Sequence, residues 1–214
     1  MPPRKSSAKS DDSKPATRTS GPKPLTPLQW NRRVSQALSV LGLVTLVLMW
    51  WGWEHVVAPR LGLHRLHVSS MQDRVVLALR NQVPALLSLM VSWLHVSLTR
   101  ALTAAANPLA RHESLVELPN RILTNTLEQV VLSALNTLIL ATWLPEEKLR
   151  ILPLISTTFI LGRITFALGY LLNPWWRSFG VILTTVPTIG MTGYNVWWLA
   201  TQGLTRGLGS SSRS

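Results

Sequence analysis

Five long stretches with very few charged residues constrain the fold of this chain more than any other feature. They are residues 34–53, 81–99, 119–143, 151–172 and 178–198. A helix of about 20 predominantly apolar residues is long enough to cross a lipid bilayer. The sequence therefore predicts an all-α membrane protein with five transmembrane helices.

The composition favours a membrane location and excludes chemistry that depends on cysteine. Only 14% of the 214 residues are charged, whereas soluble domains carry about 25%. Most of the ten tryptophans stand at the ends of the apolar stretches, where indole rings favour the lipid headgroup layer. The chain has no cysteine, so a reacting thiol would have to arrive with a substrate.

The net charge of +12 could suggest a nucleic-acid partner, but its distribution argues against one. Eight of the 21 Lys and Arg residues precede Val34. Residues 1–33 are otherwise rich in Ser, Pro and Thr, a composition typical of disorder. We predict a disordered, basic cytosolic tail that contacts the anionic surface of the lipid bilayer, and no nucleic-acid partner.

The rest of the chain divides by composition into four further regions. They are an extra N-terminal transmembrane helix (34–53), a lumenal loop with an interfacial helix (54–82), a four-helix domain (83–200) and a flexible tail (201–214).

In the lumenal loop, Ser70 is a suitable N-cap for the interfacial helix. His64 and His67 have no further metal ligands beside them in the sequence. We therefore expect ordinary interfacial histidines and no metal site.

The charge pattern also predicts an orientation. Basic residues ahead of the first span favour a cytosolic N-terminus, and five crossings then place the C-terminus in the lumen. Arg60, Arg65, Arg74 and Arg80 oppose this orientation, because they fall in the lumenal loop. The expected location is the endoplasmic reticulum or another endomembrane.

An ordered row of polar residues begins the third span. Arg121, Asn125 and Glu128 stand at spacings of four and three, so one stripe of a helix holds all three. A charged residue within a span costs at least about 2.5 kcal/mol and usually turns towards partners or water.

The fourth span runs in the opposite direction and brings Arg163 and Tyr170 to the same half of the membrane as that row. Arg177 and Ser178 follow in the next turn. Polar groups from two spans are therefore expected to cluster in the cytosolic half.

This cluster has three interpretations. In the first, Glu128 and Arg163 form a structural buried ion pair while Asn125 locks the helix packing. In the second, the cluster is a cationic pocket for an anionic ligand, in which Tyr170 donates to a thiolate or an oxyanion. In the third, Glu128 and Arg163 act as an ion or proton relay.

Three segments carry a resemblance to a known family. "RILTNTLEQVVL" resembles the R-x-x-x-N-x-x-E signature of the MAPEG superfamily, the membrane-associated proteins in eicosanoid and glutathione metabolism. "FILGRITFALGYLLNPWWRSFG" is similar to the later G-R, Y and R-S segment of that family, and "AANPL" to its N-P loop. The resemblance covers roughly residues 84–200. The N-T-L-E-Q form of the signature and the extra N-terminal span are more similar to an uncharacterised branch of the family than to its well-known synthases.

The resemblance implies a MAPEG-like four-helix bundle for the last four spans, usually trimeric, with glutathione bound between subunits on the cytosolic side. By position, it assigns glutathione binding to Arg121, Asn125, Glu128 and Arg163. It assigns catalysis to Tyr170, Arg177 and Ser178, of which the last two are nearest the thiol. Arg100 is a looser match to a family arginine.

Two departures from the family pattern bear on activity. Thr124 stands where the glutathione-using enzymes commonly have another arginine, and Phe166 where some synthases have histidine. Two functions are therefore weighed: a glutathione transferase or peroxidase acting on lipophilic electrophiles, and a non-catalytic trafficking or scaffold protein that retains the pocket.

A homotrimer is expected from the resemblance. Gly162 and Gly169 lie at heptad spacing on the fourth span, and small residues allow helices to approach closely in lipid.

Overall fold

The computed structural model describes residues 26–63, 68–106 and 112–203. The predicted tail before residue 26, His64 and His67, most of the N-P loop and the end of the C-terminal tail lie outside the described residues.

Within those ranges the regular structure is helical, with no strand. The helices are α1 (Pro27–Gly52), α2 (Ala58–Arg60), α3 (Met71–Arg80), α4 (Val83–Leu102), α5 (Glu117–Trp143), α6 (Ile151–Leu172) and α7 (Ser178–Gln202). A π-helical turn, Trp53–Val57, joins α1 to α2 without a break, and 3-10 turns at Ala104–Ala106, Glu113–Leu115 and Glu146–Lys148 fill the connections.

Length and apolar composition mark three helical segments of the described chain as able to cross a membrane. They are Pro27–Arg60, Met71–Leu102 and Glu146–Leu172. Helices α5 and α7 are also long, at 27 and 25 residues, and both bury Thr and Asn side chains. The predicted all-α membrane fold with five long helices is confirmed.

The polar side chains of α5 and α7 face each other inside the bundle. Asn195 Nδ2 donates to the side-chain oxygen of Asn136 at 3.2 Å, and the Thr192 hydroxyl donates to the same oxygen at 3.1 Å. Thr137 and Thr188 are buried along the same contact. Because hydrogen bonds between helices hold polar groups in lipid, this contact accounts for the buried polar side chains of α5 and α7.

Local sequence signals determine where two of the helices begin. Thr26 caps α1 in a capping box with Gln29, so the helix begins at Pro27, inside the segment that was expected to be disordered. Ser70 caps α3 by accepting a hydrogen bond from the backbone N–H of Asp73 at 3.0 Å, as predicted.

Helices α4 to α7 form a four-helix bundle in which α4 packs on α5 and α6, and α7 packs on the same two helices. The contact between α6 and α7 is close because glycines occupy it. A Cβ added to Gly180 would lie 2.3 Å from the backbone nitrogen of Phe166. Gly162 faces Thr184 of α7, and Gly169 faces the backbone of Trp176. These two glycines therefore serve packing within one chain, and the homotrimer stays a prediction.

The extra helix α1 packs against α7 and, to a lesser extent, α6. At one end, the hydroxyls of Ser35 and Ser178 are hydrogen-bonded. At the other end, the Trp53 indole donates to the carbonyl of Arg150 at 2.9 Å, and Glu54 forms a 2.7 Å ion pair with the Arg150 guanidinium. The N-terminal end of α1 therefore lies at the same end of the bundle as the start of α7.

Candidate functional site: a polar cavity at the start of α5

A cavity of about 700 Å³ opens at the end of the bundle where α5 begins, α6 ends and α7 begins. Its lining residues are Glu113, Glu117, Asn120, Arg121, Thr124, Asn125, Glu128, Phe166, Tyr170, Arg177 and Val181. Polar and charged side chains predominate, in contrast to the apolar outer faces of the helices.

One wall of the cavity is the stripe of α5 that the sequence predicted. Arg121, Asn125 and Glu128 all line it, and Thr124 lies beside them. Arg121 pairs with Glu117 one turn earlier, with 2.6 Å between the guanidinium nitrogen and the carboxylate oxygen. Because residues four apart are neighbours on a helix, the same periodicity produces both the stripe and this ion pair.

The facing wall comes from the end of α6 and the turn that follows it. Tyr170 is buried and its ring packs against Phe166, with 5.7 Å between the centroids. The Arg177 guanidinium carbon lies 4.9 Å from the centroid of the Tyr170 ring, a cation–π contact. Arg121 approaches the phenol of Tyr170 from the α5 side. Two cations therefore lie on either side of one phenol.

Arg163 lies behind this cavity and is 3% exposed. Its Nη1 donates to the side-chain oxygen of Asn125 at 2.9 Å, and its Nη2 to the Thr184 hydroxyl at 3.3 Å. Its guanidinium carbon also lies 4.3 Å from the centroid of the Phe166 ring. Phe166 thus provides an aromatic face for a buried cation.

The predicted ion pair between Glu128 and Arg163 is wrong. Throughout the described ranges, the polar partners of Arg163 are Asn125 and Thr184, and Glu128 enters no ion pair. Glu128 is exposed on the cavity wall, where a charged carboxylate keeps its contact with water. The interpretation that Asn125 locks the packing of two helices does agree with its bond to Arg163.

Ser178 lies apart from the other predicted residues. Its hydroxyl donates to the carbonyl of Trp175 at 2.9 Å and contacts Ser35 of α1, and it is absent from the cavity lining. Its role at a thiol stays a prediction.

Sequence reasoning missed three cavity residues near the start of α5: Glu113, Glu117 and Asn120. The spacing of Glu117 and Arg121 was a signal that could have identified one of them. Glu113 has no such signal in the sequence, since it reaches Arg100 of α4 across a connection, at 3.4 Å. No group of three His, Cys, Asp or Glu suited to a metal occurs in the part of the chain that the structure describes.

A bundle of long apolar helices with a polar, charged cavity at one end defines a multi-pass membrane protein. The chain belongs to the MAPEG family, whose model matches residues 82–197. The match covers α4 to α7 and the cavity, whereas α1 to α3 precede it.

The chain is also similar to Transmembrane protein 79 from Mus musculus and from Bos taurus. Each is 27% identical over 142 residues, which is 66% of this chain and 34% of the relative. The chain therefore spans about a third of the length of these curated relatives. No solved structure matches it.

Proposed function

We propose that the cavity binds glutathione and that the protein is a glutathione-dependent transferase or peroxidase acting on lipophilic electrophiles. The observation that carries this proposal is the convergence of five residues on one cavity of a MAPEG family chain. They are Arg121, Asn125, Glu128, Tyr170 and Arg177.

The size and charge of the cavity fit this ligand. Ligand sites measure roughly 300–1,000 Å³, and this cavity measures about 700 Å³. Glutathione carries two carboxylates and one ammonium. Arg121 and Arg177 suit the carboxylates, because guanidinium binds them through paired hydrogen bonds, and the carboxylate of Glu128 suits the ammonium. The buried Nε of Arg163 has no hydrogen-bond partner, which adds to the positive potential behind Asn125.

The residues around Tyr170 suit the chemistry of a thiol. Glutathione, when bound, supplies that thiol as a nucleophile. A nearby positive charge favours the charged form of an acid, so Arg177 would stabilise a thiolate at this wall. The Tyr170 hydroxyl would donate a hydrogen bond to it. Asn125 and Glu128 would hold the peptide in place from α5.

An apolar groove near the first turns of α5 supports a substrate that arrives from the bilayer. It measures about 440 Å³ and lies between α4 and α5. Its lining residues are Leu86, Leu89, Met90, Trp93, Leu123 and Leu127. Because Leu123 and Leu127 adjoin Thr124 and Glu128 on α5, the groove would deliver a lipophilic molecule to the edge of the polar cavity.

A second candidate function is a non-catalytic trafficking or scaffold protein that keeps the pocket. Two observations favour it. Thr124 lines the cavity where the family resemblance leads one to expect an arginine, and Ser178 bonds to α1 instead of lining the cavity. Both lower the capacity to activate a thiol.

We also propose a homotrimer in the endoplasmic reticulum or another endomembrane, with a cytosolic N-terminus. The first turns of α1 lie at the cavity end of the bundle, since Ser35 bonds to Ser178. A cytosolic N-terminus therefore implies a cytosolic cavity.

Calorimetric titration of the purified full chain with glutathione tests the proposal. We expect saturable binding, and consumption of glutathione when a reactive aryl halide is added. Saturable binding without consumption would favour the scaffold. Absence of binding would overturn the proposed ligand.

A further inference from the structure

We propose that Glu113 and Glu117, here named the acidic cap, oppose anionic ligands at the cavity: Glu117 occupies Arg121 until a ligand carboxylate displaces it, and Glu113 adds a negative charge to the lining. The acidic cap would thereby lower the affinity of the cavity for ligands whose second acid group reaches Arg121. The identity of the ligand rests on the proposed function above, whereas the acidic cap itself rests on the charges of this chain.

Two independent ion pairs carry the inference. The Glu117 carboxylate lies 2.6 Å from the Arg121 guanidinium, and the Glu113 carboxylate lies 3.4 Å from the Arg100 guanidinium. Both carboxylates belong to the cavity lining. Arg121 also belongs to the lining, whereas Arg100 does not. Glu117 therefore holds an arginine that a carboxylate of the ligand would otherwise contact, and Glu113 contributes a negative charge that would repel the ligand.

The positions of the two residues make them displaceable. Glu113 begins a 3-10 turn and Glu117 is the first residue of α5. Their side chains are 58% and 59% exposed. Because neither side chain is packed in the core, each can rotate into water without disturbing the bundle.

Charge balance explains why the acidic cap opposes anionic ligands. The cavity lining holds three carboxylates, those of Glu113, Glu117 and Glu128, against the cations Arg121 and Arg177. Arg177 stacks on Tyr170 and enters no ion pair in the described ranges. A ligand with one acid group would bind at Arg177 alone, whereas one with two would also compete for Arg121 against Glu117.

The test is calorimetric titration of the full chain with S-methylglutathione, a probe that carries both carboxylates and no free thiol. Glu117→Gln and Glu113→Gln should each bind more tightly than the wild type. Exposed ion pairs stabilise weakly, so we expect a gain of about 1.5- to 5-fold for each variant. The double variant should combine the two gains, and adding Arg121→Gln to Glu117→Gln should abolish the gain.

Glu147→Gln is the matched control, because Glu147 is an exposed carboxylate in the connection at the opposite end of the bundle. Its removal changes the net charge equally and should leave the affinity unchanged. An equal gain in this control would assign the effect to net charge and overturn the acidic cap.

Different outcomes of these titrations would overturn the proposed ligand and the acidic cap. Wild-type binding that the acidic-cap variants leave unchanged would overturn the acidic cap and retain the proposed ligand. Binding gained only in the double variant would support the acidic cap. Absence of binding in every variant would overturn both.

Discussion

The side chains of Arg163 and Asn125 join α6 to α5 through a 2.9 Å hydrogen bond from Nη1 to the amide oxygen. The cation is almost fully buried, and its other neighbours are a hydroxyl and an aromatic ring. Dipoles and a ring face compensate a buried charge only in part. The end of the bundle behind the cavity therefore keeps positive potential, which would attract an anion.

The first prediction concerns this bond. Asn125→Ala removes the main partner of Arg163 and should lower the free energy of unfolding by about 1–3 kcal/mol, the cost of leaving a buried polar group unsatisfied. Thermal unfolding in detergent measures the effect. Asn125→Asp is the control, because a carboxylate replaces the amide oxygen and should keep most of the stability. An unchanged melting temperature in Asn125→Ala would contradict the role of the bond.

The second prediction concerns Glu128, which is exposed and has no ion pair within the described ranges. Glu128→Gln should leave stability nearly unchanged and weaken glutathione binding by about tenfold or more, because a charge-assisted hydrogen bond contributes about 1.5–3 kcal/mol. Calorimetry and thermal unfolding of the same preparation separate the two effects. If Glu128→Gln instead lowers stability, and adding Arg163→Gln restores it, the result would indicate an ion pair between Glu128 and Arg163.

A third prediction tests the contact between α6 and α7. Gly180→Ala places a methyl group 2.3 Å from the Phe166 backbone nitrogen, so the helices must separate, at a cost of about 1–3 kcal/mol or more. Gly193→Ala is the matched control on the same helix, because nothing lies within 4 Å of its added Cβ. The control should be neutral or slightly stabilising, since Ala favours helix over Gly. Equal melting temperatures for the two variants would contradict the packing.

The fourth prediction tests the position of α1. The chain has no cysteine, so any disulfide in a variant with two introduced cysteines must join those two residues. Ser35→Cys with Ser178→Cys should form an intramolecular disulfide, because the two hydroxyls are in contact. Thr45→Cys with Ser178→Cys should not, since Thr45 lies about 15 Å further along α1 at 1.5 Å per residue. Mass spectrometry of the linked peptides identifies the disulfide. Absence of the disulfide would contradict the packing of α1 against α7.

A fifth prediction concerns orientation. The basic residues before the first span favour a cytosolic N-terminus. A glycosylation acceptor inserted after Ser210 should be modified in cells, and one inserted before Gly21 should not. The opposite pattern would place the cavity on the lumenal side.

Local features of the sequence were sufficient for much of this fold. The apolar runs predicted the long helices, because a bilayer requires about 20 apolar residues from each span. Ser70 predicted the start of α3, because capping depends on residues three apart. The spacing of Arg121, Asn125 and Glu128 predicted one wall of the cavity, because it depends only on the helical period.

The partners across helices came from the tertiary structure alone. Arg163 stands at a comparable depth to both Glu128 and Asn125, and the rotation of α6 against α5 directs it to the amide. Ser178 bonds to Ser35, and Glu113 to Arg100, across separate elements of the chain. The sequence pattern specifies how deep a residue lies in the membrane and which face of its helix it occupies. The choice between two acceptors at the same depth depends on how the helices rotate and cross. Close packing at glycines such as Gly162 and Gly180 decides that rotation and crossing.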